Sequence, residues 1–231
     1  MIEAALSIPA TVARPLHSAL ASRRGCKHVI IVGGGASGVL LACHLLRDPS
    51  RSLAVTLIEK RPKVGCGIAY GTADRLHLLN VRAANMSAYA DEPDHFLRWL
   101  AANRARESTS CLDAFCFVPR RVYGHYIAGL IAPLLANSER PGRLHLVRGE
   151  CVSIEESSSG VGVTLADGSR YTGHIAVLAT GHEVPATTAA ACYADPWTPS
   201  DAAMHRDGTV LVLGTGLTMV DHVLTLIHSG H

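Results

Sequence analysis

HVIIVGGGASGVLLACHLL, running from His28 to Leu46, sets three consecutive glycines between a β-branched run and an apolar one. The pattern predicts a strand over His28–Val32, a glycine turn, and a helix over Ala36–Arg47. LAVTLIE, Leu53 to Glu59, follows as a second strand that ends in an acid. Strand, turn, helix and strand make a βαβ unit with parallel strands and a right-handed crossover. Gly33, Gly35 and Gly38 fit the spacing G-x-G-x-x-G. The first glycine permits the tight turn, the second lets a diphosphate touch the backbone, and the third lets helix and strand pack closely. The helix start adds unpaired N–H groups and the positive end of its dipole. Gly33, Gly34, Gly35, Ala36, Ser37 and Gly38 are therefore candidate phosphate contacts.

Glu59 lies 21 residues beyond Gly38. A carboxylate there accepts hydrogen bonds from both ribose hydroxyls and repels a 2′-phosphate. With its neighbour Lys60 it completes a dinucleotide site that favours FAD or NAD over NADP.

Composition narrows the alternatives. The chain has 231 residues, 48% of them hydrophobic and 17% charged, enough apolar material for an α/β core. A net charge of +2 leaves no footprint for nucleic acid, and 5% aromatic residues offer no stacking platform for single strands. The most apolar run, IAGLIAPLLA, is far short of the roughly 20 residues that a membrane span needs. Seven scattered cysteines with no CxxC do not form a disulfide framework, so a reducing, cytoplasmic setting is expected. The first 27 residues, with several Arg and Ser and one acid, faintly resemble an organelle presequence but read as a loose tail.

Beyond Glu59 a glycine-rich structured loop gives way to a helix over about Pro93–Ala105. Its start is capped by Asp91 or Asp94, and Phe96, Leu97 and Leu100 lie on one face. A second helix runs over about Arg121–Ala136, interrupted near Pro133. Tyr123 and Tyr126 are packing residues, whereas Arg120 and Arg121 suit either a phosphate or substrate contact or a solvated basic face. From Leu144 the hydrophobic period becomes two: LHLVRGE, CVSIEES, GVGVTLADG and SRYTGHIAVLAT read as strands, with Asp167–Gly168 as a hairpin turn. TVLVLGTGLTMVDHVLTLIHSGH, from Thr209, then repeats the opening order of strand, glycine turn and helix.

HIAVLATG, His174 to Gly181, resembles the ATG segment of two-dinucleotide flavoproteins, in which the chain re-enters the FAD domain before a nicotinamide domain. GCGIAYGTADRLHLLNVRAANMSAYADEPDHFLRWL (Gly65–Leu100), VPRRVYGHYI (Val118–Ile127) and GTGLTMVD (Gly214–Asp221) resemble a bacterial family of FAD/NAD(P)-binding oxidoreductases. That family is distantly similar to flavin-dependent N-hydroxylating monooxygenases. The resemblance covers about Lys27 to the C-terminus. It implies hydride transfer from a nicotinamide to flavin, then reduction of an acceptor or activation of oxygen. It places Gly65, Gly67, Asn80 and Met86 along the flavin and Val152 near the adenine. Ala179, Thr180 and Gly181 would line the far side, and Gly214 and Gly216 the nicotinamide nucleotide.

The remaining chemistry is sparse. Cys111 and Cys116 have C-x4-C spacing but lie 52 residues or more beyond Glu59, too late for the redox pair of flavin disulfide reductases. Thirteen histidines include no HExxH, and His222, His228 and His231 do not share a helix face, so no metal is assigned. No catalytic set stands out, as suits an enzyme whose cofactor carries the chemistry.

The expected fold is therefore α/β, a FAD-binding Rossmann-type parallel sheet with a β-rich insert and the start of a second nucleotide-binding unit. The expected divisions are a tail over 1–27, an FAD-binding domain over 28–182, a connection over 183–208 and an incomplete NAD(P)-binding unit over 209–231. Met219 occupies the third-glycine position of that second turn and would hold its helix away from a strand. The sequence closes there, so the expectation is the N-terminal part of an FAD- and NAD(P)-dependent oxidoreductase, with a small-molecule substrate and a separate C-terminal half as candidate partners. A non-catalytic dinucleotide-binding remnant of such an enzyme is the alternative.

Overall fold

A computed structural model describes residues 26–107, 113–136, 143–181 and 208–231. The expected tail, except Cys26 and Lys27, and all but the last residue of the expected connection lie outside them. The chain divides into two compact units, one of residues 1–71 and 124–181, the other of residues 72–123 and 182–231.

The first unit opens as its sequence demands. Strand β1 (Lys27–Val32) leads through the glycine turn into helix α1 (Ala36–Leu46) and then strand β2 (Leu53–Glu59). Ile30, Ile31, Val55 and Leu57 are fully buried, which suits strands covered on both faces. Helix α1 buries Val39, Ala42, Cys43 and Leu46, the i, i+3, i+4, i+7 stripe of a helix packed on a sheet. Strand β3 (Leu144–Arg148) pairs parallel with β2, and β7 (Ile175–Leu178) pairs parallel with β1, giving the order β3-β2-β1-β7. A guanidinium fixes the α1–β2 corner. Arg143 donates from Nε to the Leu53 carbonyl at 3.1 Å, from Nη1 to Leu46 at 3.2 Å, and from Nη2 to Asp48 at 3.1 Å and Arg51 at 3.2 Å.

Strands β4 (Cys151–Ser157), β5 (Gly160–Leu165) and β6 (Arg170–Gly173) form a separate antiparallel sheet, the β-rich insert. Asp167 shapes its expected turn: Oδ1 accepts from the Ser169 N–H at 2.9 Å, and Leu165 N–H closes onto the Ser169 carbonyl at 2.9 Å. Val163 and Leu165 join Ile30, Val32, Ile58 and Val147 in one core cluster, so the insert packs on the parallel sheet. The run SRYTGHIAVLAT is not one strand. It breaks at His174, and its halves belong to different sheets. LHLVRGE likewise joins the parallel sheet rather than the insert.

Helix α3 (Arg120–Gly129) carries the chain from the second unit into the first, and α4 (Ala132–Ala136) follows after a break, as Pro133 foretold. Tyr126 and Tyr123 are buried, as expected of packing residues. In the second unit, helix α2 (His95–Glu107) buries Phe96 and Leu100, and Phe96 meets the Tyr123 ring edge-on with centroids 5.1 Å apart. The loop before it contains a single 3-10 turn, Ala83–Asn85. Helix α5 (Leu217–His228) forms as expected, but residues 209–213 adopt no strand. Leu211 and Leu213 are largely exposed there, and a strand forms only where a neighbour takes up its ladder. Cys116 is disulfide-bonded, which departs from the expectation of reduced cysteines. Cys26, Cys43, Cys66 and Cys151 are free.

Candidate functional site

The glycine turn holds the backbone where β1 ends. Gly33 has φ +111°, a conformation that L side chains rarely adopt, and a Cβ there would overlap the Ala179 carbonyl. Its N–H donates to the Ile58 carbonyl at 2.8 Å, so the turn stays locked to the end of β2. A Cβ on Gly38 would overlap the Gly33 carbonyl oxygen, which is the close helix–strand approach assigned to the third glycine. Gly35 is different. The nearest atom to an added Cβ is Gly67 Cα at 3.5 Å, so packing alone does not require a glycine there.

Gly35 is also the N-cap of α1. It makes no side-chain cap, and the first turn contains no acid. The intrahelical ladder begins with Val39 N–H onto the Gly35 carbonyl at 3.0 Å. The N–H groups of Ala36, Ser37 and Gly38 precede that ladder and, with the helix dipole, are free for an anion.

Glu59 faces this turn. Its Oε2 accepts from the Gly34 N–H at 2.7 Å and its Oε1 from the Arg61 N–H at 2.8 Å. The carboxylate is nearly buried, with 9% of the residue exposed, and is held by two backbone donors. Each oxygen retains a lone pair for a further donor. A Cβ on Gly34 would come within 2.7 Å of Glu59 Cβ, so the turn and this side chain fit each other.

The other candidates fall into both units. Gly65 donates its N–H to the Gly34 carbonyl at 2.7 Å, and Gly67, at φ +56°, lies against Gly35. Ala179, half-buried, and Thr180, exposed, follow β7 directly, with Ala179 N–H on the Val32 carbonyl at 2.8 Å; Gly181 takes φ +73°. Lys60 points away to an exposed pair with Glu150 at 3.1 Å, and Val152 is 61% exposed on β4. Between Gly65 and Gly67, burial pushes the Cys66 thiol up, and Lys63 only partly offsets it. Asn80, exposed, and Met86, which ends the 3-10 turn, belong to the second unit, as do Gly214 and Gly216. The second turn repeats the first at the backbone: Gly214 also has φ +111°, and Gly216 caps α5 with no side-chain bond and no acid in the first turn. Among the described residues nothing lies within 4 Å of a Cβ on either glycine.

One feature of the second unit was not legible in the sequence. Arg120 bonds Asp221 at 2.9 Å and, through Nε, the Leu78 carbonyl at 3.0 Å, so it is neither a free phosphate contact nor a solvated face. Thr225, one turn further along α5, meets His77 Nε2 at 2.9 Å and Asp74 Oδ2 at 3.0 Å. The only sequence signal was Asp221 and Thr225, four residues apart in a mostly apolar helix. Among the described residues no His, Cys, Asp and Glu cluster could hold a metal, and no helix is long and apolar enough to cross a membrane.

No curated protein matches the sequence. Solved structures that resemble it include a cyclohexanone monooxygenase variant from Rhodococcus sp. Phi1 bound to NADP+ (15% identity, TM-score 0.48, covering 68% of this chain and 26% of that one). Others are S-allyl-L-cysteine S-oxygenase from Allium sativum (18%, 0.44, 66% and 36%) and the Diels-Alderase PyrE3 (19%, 0.42, 67% and 32%). The chain thus spans well under half the length of these structures. The family described as FAD-NAD(P)-binding matches residues 30–183, two thirds of the sequence and all of the parallel sheet except Lys27–Val29. This chain belongs to the FAD-NAD(P)-binding family.

Proposed function

We propose that the chain binds FAD on the turn from Gly33 to Gly38 and serves a flavin-dependent oxidoreductase, of monooxygenase type, that draws electrons from NAD(P)H. The unspent N–H groups at the start of α1 would bind the diphosphate. Glu59 would take the ribose hydroxyls, and the segment Ala179–Gly181 would border the nucleotide. The second turn, at Gly214 and Gly216, would take the nicotinamide nucleotide on the same backbone principle. When bound, FAD supplies the redox chemistry, and the chain supplies binding and orientation. The observation that carries this reading is the Glu59–Gly34 hydrogen bond beside an uncapped helix start. It presents a fixed carboxylate and free backbone donors together, the two halves of an adenine-dinucleotide site.

The test is a fluorescence titration of the purified protein with FAD, repeated for Glu59→Gln and Glu59→Ala. Loss of charge-assisted bonds to ribose, about 1.5–3 kcal/mol each, should weaken binding by Glu59→Ala about tenfold or more. Glu59→Gln should fall between, since the amide keeps one acceptor oxygen. An unchanged dissociation constant in Glu59→Ala, or no FAD binding by the unaltered protein, removes the assignment.

A further inference from the structure

The parallel sheet and the antiparallel insert are stitched together by two histidines 146 residues apart. The His28 N–H donates to His174 Nδ1 at 3.0 Å, and the His174 N–H donates to the His28 carbonyl at 2.8 Å. The His28 ring reaches further: Nδ1 lies 2.9 Å from the Thr172 carbonyl and Nε2 lies 2.8 Å from Thr56 Oγ1. His174 is the single residue between β6 and β7, so these bonds hold the point where the chain passes from one sheet to the other.

The partners fix the protonation of both rings. A carbonyl only accepts, so His28 Nδ1 carries the hydrogen, and its neutral ring accepts at Nε2 from the Thr56 hydroxyl. A backbone N–H only donates, so His174 Nδ1 must be bare. A proton on His174 Nδ1 removes that acceptor and sets two N–H groups against each other. A second proton on His28 forces the buried Thr56 hydroxyl to turn and charges a half-buried ring. Among the described residues, the titratable groups that act on that ring are His145 on β3 and His174, both opposing its charge. β2 presents Thr56, and β6 presents the Thr172 carbonyl. His174 is exposed.

We propose that His28 and His174 form a proton-operated latch, which holds the β6–β7 junction on β1 when both rings are neutral and releases it when they are protonated. Burial, the largest influence, holds the His28 pKa below 6.5, outweighing the Thr172 carbonyl. The unfolded chain therefore takes up this proton at higher pH than the folded one, so the His28 contribution is whole above that ordinary value and is lost as pH falls through the lower folded one. The latch stands independently of the cofactor assignment, although β7 runs straight into Ala179, whose carbonyl abuts Gly33.

The experiment uses the full chain labelled with 15N. Ring spectra at about pH 7.5 should show His28 protonated on Nδ1 and His174 on Nε2; the other tautomer at either ring overturns the proposal. Amide exchange of His28, corrected for its intrinsic rate, should lose about tenfold in protection between roughly pH 7.5 and 5.5, the worth of one backbone hydrogen bond. His174→Asn offers Oδ1 where Nδ1 was and cannot titrate, so its His28 protection should change by less than about twofold. Unchanged protection in the unaltered chain, or an equal loss in His174→Asn, overturns the latch. Should that variant not fold, the tautomers of the unaltered chain decide.

Discussion

Two glycines of one turn should fail in opposite ways when each is replaced by alanine. A methyl on Gly38 would overlap the Gly33 carbonyl oxygen and stand 3.3 Å from Leu57 Cδ1, and the opposing group is backbone that cannot swing aside. Overpacking of this kind costs about 1–3 kcal/mol or more, against a helix-propensity gain of about 1 kcal/mol. For a chain of this size each net kcal/mol lowers the melting temperature by about 2–4 °C, so Gly38→Ala should melt several degrees lower. A methyl on Gly35 meets only Gly67 Cα at 3.5 Å, and Gly35 has φ −69° and ψ −170°, extended backbone open to any residue. Gly35→Ala should therefore change stability by less than about 1 kcal/mol, the scale of an altered N-cap. Its methyl would stand where the diphosphate approaches α1, and one or two lost charge-assisted bonds, about 1.5–3 kcal/mol each, should weaken FAD about tenfold or more. Thermal melts without cofactor and FAD titrations on both variants separate the two roles. A Gly35→Ala protein that melts and binds FAD like the parent would refute the diphosphate cradle. An undisturbed melt in Gly38→Ala would refute the packing argument.

Arg143→Ala removes the donors to four carbonyls at the α1–β2 corner and should lower stability by about 2 kcal/mol in a urea titration, with Arg143→Lys losing less. Asp221→Ala strands the mostly buried Arg120 and should cost about 3 kcal/mol, whereas Asp221→Ala with Arg120→Met should recover part of it in the same assay. The Asp74 carboxyl sits below its ordinary value of 3.8: burial pushes it up, but the Leu76 N–H, the Thr225 hydroxyl and nearby histidines outweigh that. Its contribution is present above that ordinary value and disappears as pH falls through the lower folded one. Asp74→Asn should therefore flatten the acid limb of a stability–pH curve below about pH 4.

The opening βαβ unit was legible nearly to the residue because its signals are local. Glycine spacing, β-branched runs and a terminal acid need no knowledge of distant partners, and β2 and β4 fall where their patterns place them. The place of Glu59 beside the turn was legible for the same reason, since the end of a strand next to a glycine turn is a defined position. His174 gave no such signal. Period-two patterning continues across it, and only the arrival of β1 decides that the run splits between two sheets. A Cβ on Gly173 would meet Ile30 Cγ1 at 3.0 Å, a tertiary fact that no neighbour in sequence announces. Val210–Leu213 errs in the other direction. Its apolar alternation is strand-like, but a strand is a relation between two chain segments, and no described segment pairs with it. The Arg120–Asp221 pair likewise joins residues a hundred positions apart.

The corner held by Arg143 bears on how this protein tolerates change in length. Short exposed connections usually accept insertions, because their backbone answers to solvent. Here the carbonyl oxygens of Leu46, Asp48, Arg51 and Leu53 all converge on one cation. One extra residue between Arg47 and Ser52 would pull at least one of them out of reach. In relatives that keep an arginine at this position, the hairpin from α1 to β2 should therefore be invariant in residue count even where its letters differ.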